Sequence, residues 1–386
     1  MTALTAITGA RIFDGDLWHE DSALLIEGGK VAALAASRDV PAEARTVPMD
    51  GLSLVPGFID LQVNGGGGVL LNEQPDLDGI RTICAAHARF GTTALLPTLI
   101  TDNRAVTAKA VAAGLAAQEA AVPGFLGLHL EGPHLSIARK GAHDPALIRP
   151  MEPADVERTV AARKGLEALL MTLAPENATN EQIAALHAAG VTVSLGHSDC
   201  DYDTASSAVD AGARMMTHLF NAMSQLGNRE PGMVGAALDL GHLHAGLIAD
   251  GFHVHPASIR AALRAKRGPG RIFLVTDAMS TIGTDMTSFF LNGREIFRKD
   301  GRLTLADGTL AGADIDMASC IRYMRDVVGI DLEEALRMAS LYPAEAIGMT
   351  GRKGRLTHGH DADFTAIDAG VNVAATWIAG TPVFAA

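Results

Sequence analysis

Apolar runs that stop abruptly at polar residues recur along this chain, and their spacing sets the fold it predicts. Residues 125–130 read FLGLHL and run straight into Glu131-Gly132-Pro133, so a buried strand delivers a carboxylate at its own C-terminal tip. Similar strand-like runs cover 55–63, 93–96, 169–173, 191–195, 214–217, 245–248 and 272–276, making eight in all. Between them lie Ala-rich stretches such as 104–121, 180–189 and 256–265, several ending in glycine as helix C-termini do. Eight βα units predict an α/β fold, a (β/α)8 TIM barrel, in which chemistry sits at the C-terminal ends of the strands. Residues 1–54 instead alternate short β-type runs with turn signals such as Asp14-Gly15 and Glu27-Gly28-Gly29-Lys30, which predicts a small sheet outside the barrel.

The strand tips carry a consistent set of groups. Asp60, Gln62 and Asn64 end the first run, Glu131 the third, His197 the fifth and His218 the sixth; Asp250 and His253 follow the seventh, and Asp277 the eighth. Singly, each has a plain reading. A strand-end Glu can face solvent, a His on an apolar strand is commonly satisfied by a carbonyl, and Asp277 could cap the next helix. Jointly, a Glu and two His whose tips meet at one mouth form the ligand set of a catalytic divalent metal, with a position left for water. His129 is expected beside them, orienting Glu131 or a ligand. His143, after Lys140-Gly141-Ala142, falls within reach of the mouth, and His134 is either a loop residue or a pocket wall. His19, His87 and His187 read as surface positions, while His242, His244, His255, His358 and His360 show no partner. The Gly65 to Gly68 run reads as backbone passing close to something at the strand end, and Asn292-Gly293 and Asp307-Gly308 as hairpin turns.

Length and charge narrow the field. At 386 residues the chain accommodates one large barrel and a satellite, with no need of covalent staples. Cys84, Cys200 and Cys320 are odd in number and form no CxxC pair, against both a disulfide framework and a thiolate zinc site. The net charge of −13 is unbroken by any Lys/Arg cluster and aromatics are only 4%, which argues against nucleic acid as a partner. The opening MTALTAITGARIFDGD has no basic start followed by an apolar core, and no apolar run is long enough to span a bilayer. A cytoplasmic protein is therefore expected.

The segments VPGFIDLQVNG, GLHLEGPHLSIARKGAH, SLGHSD, THLFNAM, the loop ending Arg229-Glu230-Pro231-Gly232, IADGFHV, LVTDAMS and HGHDADF together resemble the N-acetylglucosamine-6-phosphate deacetylase family of the amidohydrolase superfamily. The match follows the family's order over nearly the whole chain. The resemblance implies a catalytic barrel over 55–354 and a small β-sandwich from residues 1–54 and 355–386. It also implies a homodimer, and deacetylation of N-acetyl-D-glucosamine 6-phosphate to D-glucosamine 6-phosphate and acetate in amino-sugar catabolism.

Carried over by position, Glu131, His197 and His218 are the metal ligands, and Asp277 takes the proton of the attacking water and returns it to the leaving amine. His143 resembles the residue that polarises the acetyl carbonyl. Ala142, Asn221, Ala222, Leu310, Ala311 and Gly312 match substrate contacts. Arg229, reaching from the partner subunit, and His253 match the phosphate clamp. Many amidohydrolases carry His-x-His at the end of strand one, where this chain has Gln62-Val63-Asn64. Neutral amides are poor ligands for borderline ions, so one tightly held ion per subunit is expected, zinc by default with ferrous iron as its rival.

Other readings are a cyclic amide hydrolase of the dihydroorotase type, an aminoacylase, or a non-catalytic barrel serving as an assembly module. The first two usually show the strand-one His-x-His or a bridging lysine, and the last predicts a missing ligand or acid/base. Here all four positions are filled.

Overall fold

In the computed structural model, which describes residues 4–386, eight parallel strands lie side by side in sequence order. They are Phe58–Val63, Thr92–Ile100, Gly127–Glu131, Ala168–Leu173, Thr192–Leu195, Met215–Met216, His244–Leu247 and Ile272–Leu274. Nearly every residue in them is buried, because side chains on one face fill the barrel and those on the other meet the helices. The first and last strands are joined beyond the eighth strand by the Val63–Ala278 bridge and by Asp277 N–H donating to the Gln62 carbonyl at 2.9 Å. That closure brings the tip of strand one against Asp277.

The expected run 55–63 is two strands. Ser53–Pro56 pairs antiparallel with Phe364–Ile367 outside the barrel, and only Phe58–Val63 enters it. The handover occurs at Gly57, where a Cβ would stand 2.1 Å from Thr93 Oγ1, so no side chain fits. The second strand is longer than 93–96 and runs through Pro97, tolerated because the pairing shifts register between Leu95 and Pro97.

Both chain ends build the outer layer, as the resemblance implied. One sheet orders Lys30–Ala36, Ser22–Glu27, Thr5–Thr8 and Arg45–Pro48. The other orders Thr381–Ala385, Val373–Ile378, Phe364–Ile367, Ser53–Pro56, Arg11–Phe13 and Trp18–His19. Leu24, Ile26, Leu54, Phe364 and Trp377 share their core, the last two rings stacking at 5.2 Å.

Asp361 fastens this layer to the end of the barrel region. It pairs with Lys30, with Arg352 at 2.8 Å and with Lys353 at 3.1 Å. Burial alone would raise its carboxyl, but the Lys30 hydrogen bond and the Lys353 and Arg352 charges hold it well below the ordinary carboxylate value. Because the folded value is the lower one, this stabilisation is complete above a pH of about 4 and is lost as pH falls through the folded value. Asp361→Asn should therefore cost about 2 kcal/mol at neutral pH, a gap that urea denaturation should find narrowing in acid.

A third sheet follows the eighth barrel strand. Ser288–Leu291, Arg294–Lys299, Arg302–Thr304 and Leu310–Ala313 form an antiparallel arch, with both expected hairpin signals at its turns. Its apolar side, with Phe289, Leu291, Ile296, Leu303 and Ala311, packs on Leu70, Ile100 and Met279 at the barrel mouth. Among the described residues no helix is long and apolar enough to cross a membrane.

Candidate active site

Glu131, His197, His218 and Asp277 are brought together at the barrel mouth, each at or just past a strand tip. His197, His218 and Asp277 have φ values of 50°, 28° and 52°, the left-handed region that non-glycine residues seldom occupy and that costs roughly 1–3 kcal/mol. The strain turns each side chain out of the strand line toward the mouth. Several hydrogen bonds hold those tips. Arg139 carbonyl lies 2.9 Å from His197 Nδ1, Ser198 Oγ and Asp199 N–H donate to Glu176, and Ala313 N–H donates to the Asp277 carbonyl at 2.9 Å.

Three donor atoms converge. Glu131 Oε1 stands 3.3 Å from His197 Nε2 and 3.2 Å from His218 Nε2, and the two Nε2 atoms face each other at 3.0 Å. Ligands about 2.0–2.1 Å from a tetrahedral ion stand about 3.3 Å apart, so this triangle fits a divalent metal. Glu131, His143 and His197 also each offer an atom within 4.8 Å of the other two, so His143 borders the same donor cluster. The Glu131–His197–His218 triangle is the tighter set. Burial alone would raise the Glu131 carboxyl, yet hydrogen bonds from His197 and His218 hold it well below its ordinary value. His218 Nδ1 is buried with no hydrogen-bond partner among the described residues, whereas the matching atom of His197 has the carbonyl that an orienting partner would supply.

The strand-one amides lie against this cluster. Gln62 Nε2 donates to Glu131 Oε1 at 3.0 Å and to Asp277 Oδ1 at 3.2 Å, and Asn64 Nδ2 donates to the same Asp277 oxygen at 2.7 Å. Burial, with the Glu131 charge adding to it, pushes Asp277 up to about 6. Below, Asp60 accepts from Thr276 Oγ1 at 2.5 Å and from Thr276 N–H at 3.2 Å, bracing the residue before Asp277.

The resulting cavity, about 250 Å³, is lined by Asn64, Glu131, Ala142, His143, His197, His218, Asn221, Ala222, His253, Asp277, Leu310, Ala311 and Gly312. Gly312 has φ +68°, and a Cβ there would meet Met279 at 2.5 Å. His253 is held by Asp250, whose Oδ2 lies 2.6 Å from its Nδ1. His143 Nδ1 lies 2.8 Å from Thr101 Oγ1 and Nε2 4.0 Å from Glu131 Oε2; burial, with the nearby His197 charge, pushes its pKa down to about 3.

Arg229 is the exception. It sits exposed on the loop after Met223 and does not line the cavity of its own chain. His129 is buried, but its nitrogens go to Thr98 and Thr172 hydroxyls at 3.3 and 2.7 Å rather than to Glu131, so it braces the layer beneath the site. His134 is buried away from this cavity and lies 3.1 Å from the Arg149 carbonyl. His87 is no surface residue: it is fully buried, with Nε2 2.9 Å from the Gly65 carbonyl, which anchors the glycine loop. His244, His255, His358 and His360 all have backbone partners. Ile100, Gly141, Ile248, Met279, Leu291 and Thr309 complete the wall; as apolar or small residues, they carry no sequence signal that separates them from core or loop.

Residues 53–383 match the amidohydrolase family model. The chain belongs to the amidohydrolase family. Among its relatives, it is 43% identical to an N-acetylgalactosamine-6-phosphate deacetylase of Shewanella sp. (strain ANA-3), over 98% of this chain and 95% of that one. It is 38% identical to the N-acetylglucosamine-6-phosphate deacetylase of Bos taurus, again over 98% of this chain and 95% of the other. The crystal structure of N-acetylglucosamine-6-phosphate deacetylase from Pasteurella multocida superposes with a TM-score of 0.95 at 35% identity, covering 99% of this chain and all of that one. The resemblance read from the motifs is borne out by sequence and by fold, and the amidohydrolase barrel with its outer sheets is common to both.

Proposed function

We propose that this amidohydrolase removes the acetyl group of N-acetyl-D-glucosamine 6-phosphate, giving D-glucosamine 6-phosphate and acetate. The observation that carries the reading is the Glu131–His197–His218 triangle facing Asp277 in one cavity, on a chain similar along nearly its whole length to deacetylases of such sugars. A divalent ion bound by Glu131, His197 and His218, zinc by preference and ferrous iron otherwise, would supply Lewis acidity and acidify a water.

Asp277 accepts the proton of the attacking water on its carboxylate and delivers it to the departing nitrogen. His143, kept neutral by burial, donates to the developing oxyanion, a contribution that reaches roughly 3–4 kcal/mol for one well-placed donor. Ala142, Asn221, Ala222 and the Leu310-Ala311-Gly312 strand hold the sugar, and His253 holds its phosphate. In a homodimer, Arg229 of one subunit completes the phosphate site of the other, and its exposure in the single chain is compatible with that task. The catalytic barrel lies within residues 55–354, its first strand starting at Phe58, and 1–54 with 355–386, joined by Val55 and Pro56, make the β-sandwich of a cytoplasmic enzyme.

The identity to the Shewanella relative favours a second substrate, the galactosamine epimer. Acetate release should be measured from both epimers, with and without a chelator, against dihydroorotate and N-acetyl amino acids. Release from a phosphorylated amino sugar that chelation abolishes is expected. Hydrolysis of only the control amides would overturn the reading. Arg229→Ala should raise KM for the phosphorylated sugar by at least about tenfold while barely changing it for N-acetylglucosamine.

A further inference from the structure

The segment that carries Ala142 and His143 to the cavity leans on the arch. The Ala142 side chain packs at the edge of the arch's apolar cluster, and its carbonyl accepts a hydrogen bond from Arg294 Nη2 on the second arch strand. A neighbouring arch cation, Arg298, pairs with Asp314 at 2.6 Å, and Arg302 lies over the Phe252 ring at 4.5 Å. Arg294 has no carboxylate partner among the described residues, and its one hydrogen bond is to that carbonyl. It does not line the cavity. A half-buried guanidinium with no ion pair, engaged to the backbone one residue before His143, has the geometry of a clamp.

The clamped segment is short and turned. His143 N–H donates to the Lys140 carbonyl at 3.0 Å, and Gly141 between them has φ +56°. The direction of the His143 ring therefore follows from where the Ala142 peptide is held. Displacement of a catalytic donor by about 1 Å can cost on the order of 10²-fold in rate.

We propose that Arg294 is a positioning residue for amide hydrolysis: by holding the Ala142 carbonyl it fixes the His143 ring against the substrate carbonyl, tying the arch to the chemical end of the cavity. The proposal rests on the deacetylase reading for its kinetic effect and on the fold alone for its mechanical one.

Both can be read in Arg294→Met, which keeps the stem and removes the donors, and in Arg294→Lys. Turnover of the Met variant should fall about 10- to 100-fold while KM stays within about threefold, with metal content and Tm as in the parent, and Lys should restore part of the loss. In a His143→Gln background, Arg294→Met should add nothing, because the two residues act as one unit. Independently of activity, trypsin should cut after Arg139 or Lys140 several-fold faster in the Met variant than in the parent protein. Multiplicative losses in the double variant, a change confined to KM, or unchanged cleavage would each overturn the proposal. Should the parent protein release no acetate from either epimer, the deacetylase reading fails instead, and the cleavage rate alone then decides whether the clamp exists.

Discussion

Replacing Asp277 by Asn is expected to lower turnover by about 10²- to 10⁴-fold, the range for losing a general acid/base, while metal content and Tm stay near those of the parent. The substitution preserves shape. It also keeps an oxygen that can accept from Asn64, 2.7 Å away, and leaves untouched the backbone hydrogen bond from Ala313. What it removes is the capacity to take up a proton. Burial beside Glu131 sets that capacity close to neutral pH, with the carboxyl pushed up to about 6, where an acceptor of moderate basicity works best. Steady-state rates beside metal analysis separate this outcome from loss of the ion. Near-normal acetate release would take Asp277 out of the reaction.

Chelation should abolish activity, and protein purified without added metal should return about one tightly bound ion per chain, consistent with three strong donors and no strand-one histidines. The amides of Gln62 and Asn64 have their NH2 groups turned to Glu131 and Asp277. They serve as hydrogen-bond donors where binuclear relatives would place imidazoles. Glu131→Gln should lower both metal content and turnover by more than the roughly 10- to 100-fold that follows loss of an outer partner. Two tightly held ions per chain would overturn this account.

The strand tips were readable because a polar residue ending an apolar run stands out, and Glu131, His197, His218 and Asp277 do indeed meet in one cavity. The wall opposite them was not. Leu310 to Gly312 came from family likeness alone, and Ile100 and Met279 look like any core residue until the arch, Leu291 included, folds over them. The arch showed itself only as two turn signals, since its strands are short and half exposed. His87 was misread because helix Leu77–Ala88 is rich in small residues, so polarity does not mark its buried face, and a lone imidazole there resembles a surface group. The split at Gly57 left no mark in hydrophobicity: its immediate neighbours Leu54 to Pro56 and Phe58 to Ile59 are apolar on both sides, and only the approach of Thr93 separates them.

Ser53–Pro56 receives Arg11–Phe13 on one side and Phe364–Ile367 on the other. During synthesis at about 5–20 residues per second, its second neighbour would emerge from the ribosome tens of seconds after the first. For that interval a strand whose Leu54, Val55 and Pro56 are all apolar presents an open edge, the kind of surface on which nascent chains stick to one another. Residues 364–386 thus act as the protein's own seal, and expression of chains truncated before Phe364 should be limited by aggregation long before any question of catalysis arises.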